Sequence, residues 1–260
     1  MKVGIFGAGW VGLVTGSCLA DLGHDVVIRD VVPEKVAALR EGKVPFHEED
    51  VPELLERNRD RLAFTLDAGE VADGADFLFV CVDTPPTPSG DADLSRVRTV
   101  VEELGGGEGL VLVMKSTVPA GTGAAIGREL GPGAAYVSCP EFLKEGSAVE
   151  DFMRPDRVVI GAGAGEEEAA DRVAALYQPL GGELVRTDVA SAEMIKLASN
   201  AFLATKISFV NEIANVCEEV GADVAEVARG MGLDNRIGPS FLRAGIGYGG
   251  SCFPKDVSSL

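Results

Sequence analysis

The residues best suited to covalent chemistry lie in the run Gly249-Gly250-Ser251-Cys252-Phe253-Pro254-Lys255-Asp256. Proline is favoured at the first position of a helix, so Pro254 predicts a helix that begins there, with Cys252 just before it. The positive end of that helix and the neighbouring Lys255 would both favour the thiolate, which is the nucleophilic form of cysteine. The spacing therefore predicts a reactive thiol at position 252. The other cysteines lack such surroundings and are expected to be buried and inert: Cys18, Cys81, Cys139 and Cys217.

A second set of residues has the spacing of a dinucleotide site. The run Gly7-Ala8-Gly9-Trp10-Val11-Gly12 separates a predicted strand from a predicted helix, and Asp30 ends the next predicted strand. In such a fingerprint the three glycines allow a tight turn, close approach to a pyrophosphate, and close helix packing. A carboxylate at Asp30 accepts from ribose hydroxyls and repels a 2′-phosphate, so NAD is predicted in preference to NADP, although Arg29 slightly weakens this preference. A glycine-rich turn without a ligand is the alternative.

Four further polar residues stand where a ligand would be bound. Lys196 and Asn200 are four positions apart in a predicted helix, so both could reach one ligand oxygen. The alternative is a surface ion pair of Glu193 with Lys196 beside a solvated amide. Thr84 and Thr117 each follow a predicted strand, at the edge where open α/β sheets bind ligands, but such residues also cap turns and helices.

The elements that position these residues follow a βαβ pattern. Short β-branched runs alternate with Ala-, Leu- and Glu-rich stretches of helical period, which predicts helices around a parallel sheet. Strands are predicted near 2–6, 25–28, 61–65, 76–82, 109–115, 135–138, 157–160 and 183–186. Helices are predicted over 11–22, 33–41, 51–58, 94–104, 121–130 and 166–176.

The sequence pattern changes near residue 188. From Val189 to Val220 there is neither Gly nor Pro, and apolar residues recur every three or four positions, which predicts one helix of about 32 residues, roughly 48 Å long. A shorter helix is predicted over 223–231. The predicted fold class is thus α/β, a Rossmann-type doubly wound parallel sheet followed by a long central helix and a small all-helical domain. The predicted domains are 1–188 and 189–260.

Composition excludes several classes of protein. Lys and Arg number 23 against 41 Asp and Glu, a net charge of −18, which disfavours nucleic acid and anionic membranes as partners. The uncharged run 3–20 contains five glycines and is better explained by a strand and a turn than by a membrane span. Five scattered cysteines without CxxC spacing favour neither disulfides nor a metal site and suit a reducing cytoplasm.

The fingerprint and three other blocks carry a resemblance to a known family. The blocks are Lys115-Ser116-Thr117-Val118-Pro119, Pro140-Glu141-Phe142-Leu143-Lys144-Glu145-Gly146 and the run 241–256, with 193–215 adding a long helix. Through these blocks, essentially the whole chain resembles the UDP-glucose/GDP-mannose dehydrogenase family. The Cys-Phe-Pro-Lys-Asp sequence resembles the UDP-glucose branch of that family. The resemblance implies NAD-dependent oxidation of a nucleotide sugar, UDP-glucose, from a C6 alcohol through the aldehyde to a carboxylate.

The same resemblance implies roles for individual residues. The implied catalytic set is Cys252, Lys196, Asn200, Asp256, Glu145, Glu141 and Thr117. The implied cofactor-binding set is Gly7, Gly9, Val11, Gly12, Asp30, Lys35, Thr84, Thr117, Glu145 and Lys255. The implied substrate-binding set is Phe142, Leu143, Lys144, Lys196, Asn200, Phe241, Leu242, Gly245 and Gly249.

Within that catalytic set, Cys252 would add to the aldehyde as a thiohemiacetal, which a second hydride transfer converts to a thioester. Lys196 and Asn200 would hold the substrate and stabilise a developing oxyanion. Asp256 would support general base catalysis, and Glu145 would assist thioester hydrolysis, with Glu141 as a nearby second acid. Without the family motif, these acids would be assigned to the solvated surface.

Family members continue with a second Rossmann-like domain that binds uridine diphosphate, and this sequence ends at Leu260 without it. The expectation is a chain that folds, binds NAD and forms a homodimer through the long helix, but turns over poorly. Tight binding of UDP-glucose in equilibrium dialysis would contradict it. Two alternatives stay open: a one-step dehydrogenase of the 3-hydroxyacid and 6-phosphogluconate type, which needs no thiol, and a non-catalytic NAD-binding or dimerisation module.

Overall fold

The computed structural model describes residues 1–104, 109–250 and 252–260. These residues form two compact units. The first contains Met1–Pro85 and Asp93–Lys196, and the second contains Pro86–Ala92 and Leu197–Leu260.

The described part of the first unit contains one sheet of eight strands. They are β1 (Lys2–Phe6), β2 (Asp25–Arg29), β3 (Leu62–Thr65), β4 (Phe77–Val80), β5 (Val111–Met114), β6 (Ala135–Ser138), β7 (Arg157–Ala162) and β8 (Glu183–Thr187). Their order is β3-β2-β1-β4-β5-β6-β7-β8. The first six strands are parallel and have the strand order of a dinucleotide-binding fold. The prediction of a Rossmann-type α/β fold is confirmed.

Helices cover the sheet on both faces. In chain order the α-helices of the described residues, including those of the second unit, are α1 (Trp10–Asp21), α2 (Pro33–Arg40), α3 (Val51–Arg57), α4 (Ala68–Ala72), α5 (Ser95–Leu104), α6 (Thr122–Glu129), α7 (Ala148–Met153), α8 (Glu167–Tyr177), α9 (Val189–Val220), α10 (Val224–Gly232) and α11 (Cys252–Ser258). Alternate strand residues enter two separate cores: Phe77 and Phe79 pack with α1, α3, α7 and α8, whereas Leu78 and Val80 pack with α4, α5 and α6. Burial on both faces explains why these strands are continuously apolar.

Two features of the sheet region were not predicted. The pairing of β6 with β7 is antiparallel, whereas β7 and β8 are parallel. The short helices α4 and α7 also lie in stretches for which no element was predicted. Helix α4 has five residues, fewer than two turns, and is too short to give a periodic pattern.

Helix α9 has the bounds that the sequence predicted, Val189–Val220, with 32 residues. Asp188 caps its start, since Oδ1 accepts from the backbone N–H of Ser191 at 2.8 Å. Gly221, with φ of +73°, follows its last residue, as is common after helices. The second unit continues with α10 and α11 and contains an isolated bridge of Pro86 with Ala92. In the described ranges no helix combines the length and apolar character needed to cross a bilayer.

Candidate functional site

The turn between β1 and α1 requires glycine at two of its three fingerprint positions for reasons internal to the fold. Gly7 has φ of +104°, and a Cβ there would lie 2.6 Å from the carbonyl oxygen of Cys81. A Cβ on Gly12 would lie 1.9 Å from the carbonyl oxygen of Gly7. An added Cβ on Gly9 would meet no atom within 4 Å. The fold leaves Gly9 free to carry a side chain, so packing within the described residues does not require glycine at this position.

The start of α1 can accept an anion. No acidic residue stands in its first turn, and no side chain caps Gly9, the residue before the helix. The first backbone N–H groups of a helix have no intrahelical partner and favour phosphate. The residues present therefore fit the pyrophosphate of a dinucleotide, which a chain of net charge −18 must bind through such local donors.

Asp30 lies at the end of β2, where the sequence placed it, and is only 8% exposed. Its Oδ2 accepts from the backbone N–H of Ala8 at 3.0 Å and from Nζ of Lys35 at 2.8 Å. Its Oδ1 accepts from the N–H of Val32 at 3.1 Å. Two residues of the predicted cofactor set, Asp30 and Lys35, are thus in direct contact beside the glycine turn.

Arg29, which weakened the predicted preference for NAD, is held by an acid that the sequence did not point to. Its Nη1 and Nη2 donate to the two carboxylate oxygens of Glu103 at 2.6 and 3.1 Å, and its Nε donates to the carbonyl oxygen of Leu66 at 3.1 Å. The guanidinium also lies 5.7 Å from the ring centroid of Phe6. A bidentate pair of this kind holds Arg29 away from other anions.

Thr84 and Thr117 follow the neighbouring strands β4 and β5 and are brought together. The hydroxyl of Thr84 donates to the carbonyl oxygen of Thr117 at 2.8 Å. Ser116, in the same loop, donates from its hydroxyl to the carbonyl oxygen of Val82 at 2.6 Å. The two loops at the carboxyl end of the sheet are therefore joined by side-chain hydrogen bonds.

Lys196 and Glu141 form a buried ion pair. Their side chains are 6% and 7% exposed, and Nζ lies 2.7 Å from Oε1. The other oxygen, Oε2, accepts from the N–H of Leu143 at 2.6 Å. The centroid of the Phe142 ring lies 5.5 Å from Nζ of Lys196 and 3.8 Å from the guanidinium carbon of Arg157. Two residues of the implied catalytic set are thus in contact although they are distant in sequence.

The alternative of a surface pair between Glu193 and Lys196 is wrong. Glu193 is 2% exposed and accepts from the N–H groups of Gly121 and Gly123, both at 2.7 Å, at the start of α6. Burial raises the pKa of Glu193, and the two amide hydrogen bonds oppose that rise. Glu193 therefore fixes α9 to the loop after Thr117, a pairing for which the sequence carries no local signal.

Residues 144–146, at the end of the 140–146 segment, face solvent. Lys144 and Glu145 are both exposed. Lys144 pairs with Asp151, with Nζ 3.0 Å from Oδ1. Of the acids assigned by resemblance in the first unit, Glu141 is buried and paired, and Glu145 remains on the surface, where water has access to it.

In the second unit, Asp256 lies at the centre of a small polar cluster. It is 1% exposed, its Oδ2 accepts from Nδ2 of Asn200 at 2.6 Å, and its Oδ1 lies 2.6 Å from Nζ of Lys255. Asn200 is itself 7% exposed, so the alternative of a solvated amide is wrong. The ammonium compensates the buried carboxylate, and the carboxylate fixes the orientation of the amide.

Cys252 is exposed, whereas the other four cysteines are buried. It is the first residue of α11, and Pro254 is the third. The prediction that the helix begins at Pro254, with Cys252 before it, is therefore wrong by two residues. The first-turn N–H groups of a helix have no intrahelical acceptor, so proline is tolerated at its third position. Burial raises the pKa of Cys18 and Cys81 to about 12.

One predicted substrate-binding residue of the second unit, Phe241, lies close to the residue after Cys252. The ring of Phe253 lies 6.3 Å from that of Phe241 and 6.1 Å from that of Tyr248. Phe241 has φ of +63°, a conformation that bulky residues rarely adopt. Leu242 is buried, and the N–H of Gly245 donates to Oδ1 of Asn211 at 2.8 Å. An added Cβ on Gly249 would meet no atom within 4 Å. In the ranges that the structure describes, no three His, Cys, Asp or Glu side chains are grouped to hold a metal ion.

Two family models match the chain. The model described as UDP-glucose/GDP-mannose dehydrogenase family, NAD binding domain, matches residues 1–181. The model described as the central domain of the same family matches residues 190–260.

Several curated relatives match over the full chain. UDP-glucose 6-dehydrogenase TuaD of Bacillus subtilis is 46% identical, and the match covers 100% of this chain and 58% of the relative. UDP-glucose 6-dehydrogenase of Rhizobium meliloti is 48% identical, with coverage of 100% and 62%. This chain therefore spans about three-fifths of the length of these relatives.

Solved structures give the same result. A UDP-glucose dehydrogenase from the archaeon Pyrobaculum islandicum has a TM-score of 0.93 and 41% identity, covering 99% of this chain and 62% of that one. A ternary complex of GDP-mannose dehydrogenase from Pseudomonas aeruginosa has a TM-score of 0.86 and 34% identity, covering 99% and 63%.

Proposed function

The chain belongs to the UDP-glucose/GDP-mannose dehydrogenase family and carries its NAD-binding domain, and from this premise we propose that it takes part in the oxidation of UDP-glucose to UDP-glucuronate. The two curated relatives reported above are UDP-glucose 6-dehydrogenases, which supports UDP-glucose as the substrate rather than GDP-mannose. The Cys252-Phe253-Pro254-Lys255-Asp256 run supports the same choice.

The observation that carries the proposal is the contrast between Cys252 and the other thiols. Cys252 is exposed, next to a helix N-terminus and three residues from Lys255. Cys18 and Cys81 are sealed in the core with pKa values raised to about 12, which keeps them protonated and unreactive near neutral pH. We therefore assign the nucleophile to Cys252.

The proposed chemistry is two oxidations at one carbon. The C6 alcohol first loses a hydride from carbon and a proton from oxygen, which gives an aldehyde. The thiol of Cys252 then adds across the carbonyl bond, with its sulfur bonding to carbon and its proton passing to oxygen. The resulting thiohemiacetal loses a second hydride from carbon and the proton of its hydroxyl group, which gives a thioester. Water breaks the carbon–sulfur bond, which releases the carboxylate and the thiol. NAD, when bound, accepts one hydride in each oxidation.

We assign charge stabilisation to Lys196 and Asn200. The ammonium of Lys196 would stabilise negative charge on the sugar oxygen, and its pairing with Glu141 holds it in one position. The amide of Asn200 would donate to the same oxygen, and its pairing with Asp256 orients it. Groups fixed before the reaction need no reorganisation as charge develops.

We assign proton transfer to the acids. Asp256, with Lys196 and a water molecule, would act as the general base for the alcohol. Glu145, which is exposed, would assist the attack of water on the thioester. Glu141 would act through Lys196. Thr117, in the loop after β5, is the remaining member of the proposed catalytic set.

The remaining assignments concern binding. We propose that NAD is held by Gly7, Gly9, Val11, Gly12, Asp30, Lys35, Thr84, Thr117, Glu145 and Lys255. We propose that the nucleotide sugar is held by Phe142, Leu143, Lys144, Lys196, Asn200, Phe241, Leu242, Gly245 and Gly249. We also propose the division into domains 1–188 and 189–260 and a place in the reducing cytoplasm, where the five thiols would stay reduced.

We further propose a homodimer formed through α9. Phe202, Phe209 and Val216 follow one another at heptad spacing and are 65%, 48% and 54% exposed. Apolar side chains repeated in this way are typical of helix–helix contacts. Phe209→Glu should give a monomer in light scattering after gel filtration, whereas Glu212→Gln, on the same helix, should leave the dimer intact. A monomeric wild-type chain at micromolar concentration would refute the dimer.

The test of the activity counts NADH and identifies the sugar product. The chain is incubated in excess over UDP-glucose with saturating NAD, NADH is measured by absorbance, and products and intact protein are measured by mass spectrometry. Two NADH per sugar and UDP-glucuronate are expected from the wild type. Cys252→Ser should stop at the aldehyde after one NADH, and Cys217→Ser, at a buried thiol of the same unit, should still give two.

Two outcomes would overturn the proposal. One NADH per sugar from both the wild type and Cys252→Ser would indicate a one-step dehydrogenase of the 3-hydroxyacid type. NAD binding without any NADH or covalent adduct on Cys252 would indicate a non-catalytic binding module.

A further inference from the structure

Glu48 is a buried carboxylate that the proposed chemistry does not use. It lies in the loop between α2 and α3 and is only 2% exposed, while the flanking residues His47 and Glu49 are exposed. Among the ion pairs of the described residues, none involves Glu48. A buried carboxylate is stable only when its oxygens are satisfied by hydrogen bonds, so its donors show what it holds in place.

Three donors, all neutral N–H groups from distant parts of the sequence, contact Glu48. Its Oε2 accepts from the indole Nε1 of Trp10 at 2.7 Å and from the backbone N–H of Gly146 at 2.9 Å. Its Oε1 accepts from the backbone N–H of Ala148 at 2.9 Å. Both oxygens are therefore used, and each bond is strengthened by the charge of the acceptor.

The donors belong to two segments with proposed functions, the glycine turn and the segment that carries Glu145. Trp10 directly follows Gly9 in the glycine turn, residues 7–12, which is proposed to bind the pyrophosphate and is called the pyrophosphate turn below. Trp10 is also the first residue of α1. Gly146 directly follows Glu145, the acid assigned to thioester hydrolysis, and Ala148 comes three residues after it. Glu145 itself is exposed, and its backbone is positioned by the hydrogen bonds that Gly146 and Ala148 make.

We propose that Glu48 is a positioning residue that couples the pyrophosphate turn to the segment carrying Glu145. Binding of NAD at the turn stabilises one position of Trp10, and through Glu48 it stabilises the backbone at Gly146 and Ala148. Glu145 is thereby ordered when the cofactor is present. The role assigned to Glu145 rests on the proposed function, whereas the coupling itself rests on these three contacts.

An amide cannot replace this carboxylate. In Glu48→Gln one oxygen remains as an acceptor, and the new NH₂ group must face an N–H group, donor against donor. Loss of a hydrogen bond to a charged acceptor should weaken NAD binding about tenfold. Glu49→Gln removes the same charge from the neighbouring, exposed position and should leave binding unchanged, which makes it the matched control.

The experiment uses the whole chain and NAD itself. Trp10 is the single tryptophan of the chain, so its fluorescence reports this contact directly. The wild type, Glu48→Gln, Glu49→Gln and Trp10→Phe are compared by calorimetric titration with NAD and by hydrogen exchange of the amides of Gly146 and Ala148. Trp10→Phe keeps an aromatic ring and removes only the indole donor, so it breaks the connection from its other end and does not depend on Glu48→Gln folding.

We expect NAD to slow exchange of the two amides in the wild type and in Glu49→Gln. In Glu48→Gln and Trp10→Phe the NAD-dependent slowing should be lost, and the wavelength of Trp10 emission should shift in Glu48→Gln. A purely structural role would lower stability in those variants but leave the effect of NAD on the amides. Wild-type binding with slowing that persists in both variants would overturn the coupling alone, whereas a wild-type chain that does not bind NAD would overturn both the coupling and the proposed function.

Discussion

The ion pair of Lys196 with Glu141 gives the most direct test of how the first unit is held together. Lys196→Met keeps the length and apolar stem of the side chain and removes its charge. Glu141 is then left buried without a cation, because its side chain is only 7% exposed. The variant should therefore fold less stably, quite apart from any effect on catalysis.

The size of this loss follows from the geometry. Removing one member of a buried pair costs about 3–5 kcal/mol, since the remaining charge is desolvated without compensation. Glu141 keeps one hydrogen bond, from the N–H of Leu143 at 2.6 Å, so we expect the lower end of that range. A loss of about 3 kcal/mol corresponds to a fall in Tm on the order of 8 °C for a chain of this size.

Urea unfolding followed by tryptophan fluorescence is the appropriate assay. Trp10 is the single tryptophan and lies in the first unit, so its signal reports the unit that contains the pair. Lys144→Met is the matched control, because Lys144 is 65% exposed in its pair with Asp151 and its loss should cost no more than about 1 kcal/mol. The double variant Glu141→Gln/Lys196→Met removes both charges and should recover at least half of the loss.

Two results would refute this reasoning. The first is a loss of stability in Lys196→Met no larger than that in Lys144→Met, which would mean that the buried carboxylate is satisfied without its cation. The second is additivity of the two single substitutions at 141 and 196 in the double variant, which would mean that the two groups are not energetically coupled.

Three further predictions follow from the structure. Gly9→Ala should leave the urea midpoint unchanged and weaken NAD binding at least about tenfold. Gly12→Ala should be strongly destabilising, because its Cβ would lie 1.9 Å from a backbone oxygen. An equal loss of stability in the two variants would contradict the assignment of Gly9 to the ligand. Glu103→Gln should free Arg29 and raise the affinity for NADP relative to NAD in calorimetric titration, and Arg29→Ala/Glu103→Gln should reverse the gain; an unchanged ratio would exclude this pair from cofactor selection. Burial raises the pKa of Glu193, so the folded state favours its protonated form. The free energy of unfolding of the wild type, relative to Glu193→Gln, should be greatest below about pH 4 and should fall as pH rises through the raised pKa. A relative gain in stability with rising pH, measured by urea titration, would contradict this prediction.

The elements that were predicted well are those specified by local sequence. Helix α9 has its predicted bounds because Asp188 caps its start, no Gly or Pro interrupts it, and Gly221 follows it. Helix α4 was missed because five residues give no period, although Asp67 accepts from the N–H groups of Gly69 and Glu70 as a capping residue does. The antiparallel direction of β7 was not predictable, since a buried strand has the same apolar pattern in either direction.

The candidate site shows the same division between local and distant determinants. The glycine turn and Asp30 were predicted because their spacing along the chain is set by one βαβ unit. The partners of Lys196 and Trp10, which are Glu141 and Glu48, are distant in sequence, and only the topology of the sheet brings them together. A single acid among 41 has no sequence feature that marks it as buried.

The charge of the chain and that of its cofactor have the same sign, so binding must depend on the groups close to the site. Net charge acts at long range, and salt screens it beyond roughly 8 Å under physiological conditions. Within that distance no acid belongs to the first turn of α1 itself, although Glu48 contacts Trp10. The carboxylate of Glu48 is satisfied by three neutral N–H groups, and that of Asp30 is offset by Lys35 and by two backbone N–H groups. Affinity then comes from oriented amides and close backbone approach, so added salt should leave NAD binding unchanged or strengthen it. A site built on lysine and arginine side chains would respond in the opposite direction.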